Sequence, residues 1–425
     1  MNPVKAFMRT RLHTKILIGL VAGVPVGLLL GPRAEHIEFL GRLFILLIRM
    51  IVVPLVFSSL FVGTASLGNI RKLGRIGAKT VLYYLCTTAI AITIGLLLGN
   101  AIQPGSGLEE STKSELLESY STEAAQKIEI ASQRPSGADA IVETLIRIVP
   151  GNPIASLAEE NMLQIIFFAL LFGIAITLVP GNKGQPAIDF FEAVSEGMIQ
   201  LVHIVMKFAL IAAVVGKFGV DILFSLLKYA LVVVAGLVLH MVFIYSGAVR
   251  LFGKIGPLEF FRGIRPAQLI AFSTSSSNAT LPVTMECAEE NLGVSEEVSS
   301  FVLPLGATIN MDGTALYQGV AAIFIAQVYG LSLTVGDQIT IVLMATLASI
   351  GAAGVPGIGI ITLTMVLQTL GLPLEGIALI LGVDRILDMC RTTVNITGDA
   401  SAALVVAATE GELERPSREA EGASP

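Results

Sequence analysis

The stretch AFSTSSSNATLPVT (Ala271–Thr284) decides the fold, because it interrupts an apolar segment that runs from about Leu258 to Leu292. A second stretch, ASIGAAGVPGIGII (Ala348–Ile361), interrupts another apolar segment, from about Val335 to Leu372. A single spanning helix would not accommodate so many Ser, Gly and Pro residues, so each segment is predicted to form two short helices that fold back on each other. The helix ends at such tips are tolerated at membrane depth only where they are buried in protein or line a cavity.

The composition indicates a membrane protein. Of 425 residues, 54% are hydrophobic and only 14% are charged, whereas about a quarter of the residues in a soluble domain are charged. The first apolar run, Lys15–Gly31, has no small-x-small cleavage site and is followed at once by another, so we interpret it as a retained helix rather than a signal peptide. The predicted spans are 15–31, 38–68, 76–103, 145–180 (with a possible break at VPGNP), 187–218, 222–253, 298–330 and 376–409.

The distribution of charge predicts the topology. Basic clusters lie at the N-terminus, after the second span and after the sixth span, and they alternate with span ends that have no such cluster. Short Lys/Arg-rich stretches tend to stay in the cytoplasm. The acidic loop 105–140 is therefore predicted outside, and both termini inside. The three cysteines have no zinc or disulfide spacing, and none of the four histidines is expected beside a pair of carboxylates.

The last span carries the strongest polar signal. Asp384, Asp388, Arg391, Asn395 and Asp399 are offset by 0, 4, 7, 11 and 15 positions. At about 100° per residue these positions fall within a stripe of roughly 80°. Because an ionised group at the bilayer centre costs on the order of 3 kcal/mol, this stripe is predicted to face partners inside the protein. Internal pairing that only tightens the bundle is the alternative interpretation.

The chemistry of these groups favours an acidic amino acid. An arginine fork suits a carboxylate, an aspartate suits an ammonium group, and helix N-termini at the hairpin tips favour an anion. The apolar segment around GATINMDGTALYQG (Gly306–Gly319) adds Asn310, Asp312 and Thr314. Oxygen-rich groups of this kind suit a hard cation, for which sodium is the expected choice.

The C-terminal half resembles the glutamate transporter family, the dicarboxylate/amino-acid:cation symporters. The resemblance rests on four motifs in order: STSSSNATLP, LPLGATINMDGTALYQG, ASIGAAGVPGIG and ILDMCRTTVNITGD. The N-terminal stretches KILIGL and MIVVPLVFSSL also match, so the resemblance covers about Lys15–Glu410.

The resemblance implies an all-α polytopic membrane protein with eight transmembrane helices and two re-entrant helical hairpins related by inverted repeats. It further implies a homotrimer in the inner (plasma) membrane that works as an elevator, with no nucleic-acid partner. The implied divisions are 1–14 cytoplasmic N-terminus, 15–75 scaffold spans 1 and 2, 76–104 span 3 of the transport domain, 105–140 extracellular loop, 141–221 scaffold spans 4 and 5, 222–409 the rest of the transport domain, and 410–425 disordered cytoplasmic tail.

The resemblance also implies two sets of site residues. The substrate contacts are expected at Ser275, Ser276, Ser277, Thr314, Val355, Gly359, Asp388, Arg391, Thr392 and Asn395. The sodium ligands are expected, some through their carbonyls, at Tyr84, Thr87, Thr88, Gly306, Thr308, Asn310, Asp312, Ser349, Ile350, Ala352, Asn395 and Asp399.

Other functions remain open at this point. A proton-coupled glutamate carrier and a C4-dicarboxylate carrier share the implied fold, although the latter has no amino group for Asp388 to bind. Gln318 stands where the animal transporters have a Glu tied to proton coupling, which argues against their mechanism. A neutral amino-acid exchanger would not need Arg391, and a channel would need neither charge. An intramembrane protease is not favoured because STSSS has no expected His or Lys base.

Overall fold

The computed structural model describes residues 38–67, 75–106, 149–159, 161–205, 221–349 and 357–413. Within these ranges the regular structure is helical, apart from one isolated bridge between Val294 and Leu413. The α-helices are α1 (Glu38–Leu67), α2 (Arg75–Ile102), α3 (Pro153–Ala158), α4 (Met162–Thr177), α5 (Gln185–Val205), α6 (Asp221–Leu239), α7 (Ser246–Leu251), α8 (Pro257–Gly263), α9 (Arg265–Thr274), α10 (Ser277–Glu286), α11 (Glu296–Ile309), α12 (Asp312–Val328), α13 (Val335–Ser349), α14 (Ile358–Leu370) and α15 (Gly376–Glu410).

Most predicted spans correspond to observed helices. Helices α1, α2 and α15 end within a residue of the predicted spans 38–68, 76–103 and 376–409. The predicted span 15–31, the segment 1–14, nearly all of the loop 105–140 and most of the tail 410–425 lie outside the described residues. An all-helical protein is therefore confirmed for the part of the chain that can be compared.

The fourth predicted span, 145–180, is described from Val149 onward, so the break suggested at VPGNP stays a prediction. Helix α3 begins at Pro153, the last residue of this stretch, whose fixed φ suits the first helical position. The side chain of Asn152 caps this helix by accepting hydrogen bonds from the backbone N–H of Ile154, at 3.0 Å, and of Ala155, at 3.3 Å. A break within the described part of the span separates α3 from α4.

The prediction of one unbroken helix over 298–330 is wrong. Helix α11 stops at Ile309 and α12 starts at Asp312, with Asn310 in an extended conformation between them. The Asn310 side chain donates hydrogen bonds to the carbonyl of Asn395, at 2.9 Å, and to Asp399, at 2.8 Å. These two bonds connect the break to α15.

The sixth span contains a π-helical turn. Residues His240–Tyr245 form this turn between α6 and α7, so the span is continuous but underwound at this point. Such single π-turns are frequent at functional sites.

The two interrupted segments form the expected helix pairs. Helices α9 and α10 contact each other, and the tip between them contains Ser275 in the left-handed conformation at φ 54°. Ser276 caps α10 by accepting a hydrogen bond from the N–H of Ala279 at 3.2 Å. Helices α13 and α14 also contact each other, whereas their tip, 350–356, lies outside the described residues.

Helix α12 lies at the centre of the fold. Every residue of Asp312–Val328 except Gln327 is buried, and α2, α6, α13, α14 and α15 pack around it. Helix α2 approaches most closely at Gly95, where a Cβ would lie 2.5 Å from the carbonyl oxygen of Leu316. A glycine is needed there for the two backbones to meet.

A second group of helices packs outside this centre. Helices α4 and α5 each pack against α1 through clustered phenylalanines, and α14 contacts α1 and α4. The ring of Phe191 lies 4.6 Å from that of Phe61 and 5.3 Å from that of Phe57, distances at which aromatic pairs attract.

Two of the described helices, Arg75–Ile102 and Phe224–Leu251, are long and apolar enough to cross a membrane. Their outer faces expose large apolar side chains, among them Leu82, 65% exposed, and Phe224, 72% exposed. Exposed apolar surface of this extent suits contact with lipid.

Candidate functional site

The arginine cluster, defined as Asp384, Arg385, Asp388 and Arg391 of α15, is charge-balanced. Arg391 is fully buried and donates hydrogen bonds to Asp384 at 3.0 Å and to Asp388 at 2.9 Å. Arg385 donates to the second oxygen of Asp388 at 3.3 Å. The Arg391 guanidinium also lies 3.9 Å from the ring centre of Tyr317 on α12, a favourable cation–π contact. Two positive and two negative groups therefore neutralise each other.

The start of α14 covers the arginine cluster. The backbone N–H of Gly357 donates to Asp388 at 3.2 Å. A Cβ on Gly359 would lie 2.9 Å from Nη1 of Arg391, so no larger residue fits without moving the guanidinium. The second hairpin thus brings its backbone directly against the charged groups.

The acidic cluster, defined as Asp312 and Asp399 with the neutral groups that bond to them, lies beside the break between α11 and α12. Oδ1 of Asp312 accepts a hydrogen bond from Thr88 at 2.6 Å. Oδ2 accepts one from Tyr245 at 2.8 Å and lies 3.2 Å from Nε2 of His240. These side chains come from α2, α12 and the π-turn, and all are buried.

Asp399 is held from the other side of the break. Its Oδ1 accepts a hydrogen bond from Asn310 at 2.8 Å. A Cβ on Gly306 would lie 2.5 Å both from this oxygen and from the hydroxyl of Tyr84, so only glycine fits between them. The Oδ1 atom of Asn310 is buried and has no hydrogen-bond partner among the described residues.

Asn395 lies on α15 between Arg391 of the arginine cluster and Asp399 of the acidic cluster. Its Oδ1 accepts a hydrogen bond from the N–H of Gly313 at 2.8 Å, and its Nδ2 donates to Thr314 at 3.4 Å. The Asn395 carbonyl accepts from Asn310. The break before α12 and the polar stripe of α15 therefore form one continuous polar interior.

The acidic cluster lacks a permanent positive charge. Within the described ranges, no Lys or Arg pairs with Asp312 or Asp399. A buried, unpaired carboxylate is costly, so the cluster is suited to take up a hard cation or a proton. The unpartnered oxygen of Asn310 is a further group of the type that sodium prefers.

Many predicted residues meet in this interior, but others do not show such contacts. The contacts above bring together the predicted residues Asn310, Asp312, Thr88, Gly306, Tyr84, Thr314, Asn395, Asp399, Asp388, Arg391 and Gly359. The hydroxyls of Thr87, Thr308, Ser349 and Thr392 bond to carbonyls in their own helices. Ser275, Ser276 and Ser277 are buried at the first hairpin tip. Ile350, Ala352 and Val355 lie outside the described residues.

Sequence reasoning missed three polar neighbours. His240 and Tyr245 bond to Asp312, although no histidine was expected at a carboxylate site, and Tyr317 faces Arg391. The only sequence signal for His240 is a polar residue in the apolar run LVLHMVFIY. Periodicity cannot identify its partner, which lies 72 positions away.

These features define a class of protein: a helical membrane transporter with buried charges at the breaks of its helices. The chain belongs to the sodium:dicarboxylate symporter family, whose model matches residues 12–409. This match confirms the resemblance found in the sequence and the prediction of a transporter rather than an enzyme.

Relatives are similar over most of their lengths. The chain is 40% identical over 408 residues to the proton/sodium-glutamate symport protein of Geobacillus stearothermophilus, covering 94% of each chain. It is 39% identical over 418 residues to the proton/glutamate-aspartate symporter of Escherichia coli, covering 94% of this chain and 93% of the relative. It is 36% identical over 422 residues to C4-dicarboxylate transport protein 2 of Mesorhizobium japonicum, covering 96% and 92%.

Proposed function

We propose that the protein is a secondary active symporter that takes up L-aspartate or L-glutamate together with sodium ions. The observation that carries the proposal is the position of the arginine cluster next to an acidic cluster that lacks a permanent positive charge. The names of the glutamate and glutamate-aspartate relatives support the substrate class.

In this proposal the substrate exchanges partners with the arginine cluster. Arg391 binds the side-chain carboxylate of the substrate, and Asp388 binds its ammonium group. Arg391 and Asp388, which pair with each other in the structure, then each have a partner of opposite charge on the substrate. Asn395 and the backbone at Ser277 bind the α-carboxylate. The remaining proposed contacts are Ser275, Ser276, Thr314, Thr392 and the gate residues Val355 and Gly359.

In the proposal, two of the three sodium sites use the carboxylates of the acidic cluster. One proposed site uses Asp399 with the carbonyls of Gly306, Asn310 and Asn395. A second uses Asp312, Thr87, Thr88, the Asn310 side chain and the Tyr84 carbonyl. A third uses carbonyls of Thr308, Ser349, Ile350 and Ala352. All the ligands are oxygens, as a hard cation requires.

The proposed mechanism is an elevator within a homotrimer in the inner membrane, with both termini in the cytoplasm. The packing is compatible with this division, because α1, α4 and α5 form one group and the polar interior lies entirely in the other. In the proposal the first group, with the span 15–31, is the scaffold, and the second group moves.

Proton coupling is a second candidate, because a proton neutralises a buried carboxylate as well as a cation does. The names of two relatives describe proton symport, and a third relative is named a C4-dicarboxylate transport protein. Proton-coupled uptake of glutamate or of a C4-dicarboxylate is therefore the alternative to be tested.

Flux into proteoliposomes tests the proposal. The purified protein is given a sodium gradient, a proton gradient or neither, with L-aspartate, L-glutamate and succinate in parallel. We expect uphill accumulation of the amino acids that stops when potassium replaces sodium. The Asp312→Ala variant should assemble in the membrane but lose sodium-dependent uptake. Equal uphill uptake driven by protons alone would refute sodium coupling, and uptake of succinate alone would refute the amino-acid substrate.

A further inference from the structure

The π-turn His240–Tyr245 brings its first and last side chains to one oxygen atom. Tyr245 donates to Oδ2 of Asp312 at 2.8 Å, and Nε2 of His240 lies 3.2 Å from the same oxygen. In a regular α-helix, side chains five positions apart point about 140° away from each other. The extra residue in the π-turn closes this angle, so the distortion is what allows both groups to reach Asp312.

Both contacts reach one carboxylate oxygen. An ionised carboxylate only accepts, so the nitrogen of His240 that faces Asp312 donates. The other nitrogen, Nδ1, is buried without a hydrogen-bond partner among the described residues. The rings of His240 and Tyr245 also pack edge to face at 4.7 Å, which restricts both.

The two oxygens of Asp312 therefore have different surroundings. Oδ2 is held by the π-turn, and Oδ1 meets the hydroxyl of Thr88 at 2.6 Å. Thr88 can turn its hydrogen away and present a lone pair, because a hydroxyl is both donor and acceptor. Oδ1 and Thr88 can then face a cation together while Oδ2 stays bonded.

We propose that His240 and Tyr245 are positioning residues that fix Asp312 through Oδ2 and leave Oδ1 for the coupling ion. This inference rests on the proposed sodium symport and adds to it two side chains that do not touch the ion. Their effect is on the affinity for sodium, because they orient a ligand of the ion and contact no group of the arginine cluster.

Sodium titrations of uptake in proteoliposomes test this assignment with Tyr245→Phe, His240→Leu and His240→Gln. Tyr245→Phe and His240→Leu should each raise the sodium concentration for half-maximal uptake about 10-fold, since each removes a hydrogen bond to a charged group. His240→Gln keeps an N–H donor at similar reach and should stay within about threefold of the wild type. The KM for substrate at saturating sodium should change less than about twofold in all three.

Phe243→Leu is the matched control, because Phe243 lies in the same π-turn but is 65% exposed. If a variant transports too slowly for this titration, the rise in Tm that sodium produces in the purified protein is measured instead. The sodium dependence of that rise should shift by the same factor. If the sodium dependence is unchanged in both Tyr245→Phe and His240→Leu, or if the substrate KM rises by the same factor, the positioning role is wrong while sodium symport stands. If the wild type does not respond to sodium, both the positioning role and sodium symport are wrong.

Discussion

The arginine cluster lies on α15, and the acidic cluster combines Asp399 of the same helix with Asp312 of α12. The carboxylates of both clusters are buried, yet their charges are arranged in opposite ways. In the arginine cluster each charge has a partner, with Arg391 bonded to Asp384 at 3.0 Å and to Asp388 at 2.9 Å. In the acidic cluster Asp312 and Asp399 meet hydroxyl, amide and imidazole groups. The two clusters therefore differ in whether their charges are compensated, and not in burial.

This difference has a consequence for binding. A ligand that carries both an ammonium and a carboxylate can replace internal partners one for one, so the arginine cluster stays balanced when it binds. A cation instead changes the balance of the acidic cluster and reduces the cost of its buried carboxylates. Variants in the two clusters should therefore affect substrate and ion separately.

The largest effect is expected from Arg391→Cys. The substitution removes the carboxylate partner and leaves Asp384 without its 3.0 Å ion pair, and breaking one partner of a buried pair costs on the order of 3–5 kcal/mol. Uptake of L-aspartate should fall more than about 100-fold, while sodium should still raise the Tm of the purified protein. Neutral amino acids are the additional substrates to test, because the site no longer contains the cation that selects a carboxylate.

For this variant, unchanged uptake of aspartate would contradict the role of Arg391. A complete loss of the sodium effect on Tm, in a protein that still assembles, would contradict the separation of the two clusters.

Asp388→Ala should have a smaller effect that depends on the substrate. In the proposal Asp388 binds the ammonium group, so its loss should reduce uptake of L-aspartate roughly 30-fold, the equivalent of about 2 kcal/mol. Succinate has no ammonium group, and any uptake of it should fall much less. The ratio of kcat/KM for aspartate to that for succinate is the measurement, with the wild type as reference. A ratio that does not change would show that Asp388 does not recognise the amino group.

The last helix was the part of the site most accessible to sequence reasoning. The spacing of Asp384, Asp388, Arg391, Asn395 and Asp399 predicts one inward-facing stripe, and all five side chains are buried in the structure. Polar residues in an apolar helix must face the interior, so here the physics is local and the helical period suffices.

The rest of the site depends on contacts between distant parts of the chain. The break at Asn310 was not predicted, because the polar residues of this segment do not by themselves interrupt a span. The bonds of the Asn310 side chain at the break are to residues 85 and 89 positions away. The π-turn has no sequence signature, so the approach of His240 and Tyr245 to Asp312 could not be predicted. The link between Thr88 and Asp312, 224 positions apart, came only from the family resemblance.

The smallest effect is expected at an ion pair whose two cations are exposed to solvent, in contrast to the buried clusters. Glu410, at the end of α15, pairs with Lys79 of α2 at 2.5 Å and with Arg75 at 3.0 Å. The hydrogen bond from Lys79 holds the pKa of Glu410 below its usual value. A lowered pKa in the folded state stabilises the protein above the unfolded pKa, and this stabilisation is lost as the pH falls through the folded value.

Glu410→Gln should therefore lower Tm by no more than a few degrees near pH 7, because Lys79 and Arg75 are solvent-exposed and such pairs contribute little. The difference from the wild type should shrink as the pH falls below about 4.3, where the free carboxylate protonates, and added salt should reduce it as well. Glu412→Gln, two residues further on, is the matched control, and the measurement is Tm against pH at low and high salt. If the Tm of the variant stays below that of the wild type at low pH, where Glu410 has lost its charge, the side chain stabilises the helix end by packing. A loss of Tm as large as that expected for a buried pair would contradict the distinction between exposed and buried charges in this protein.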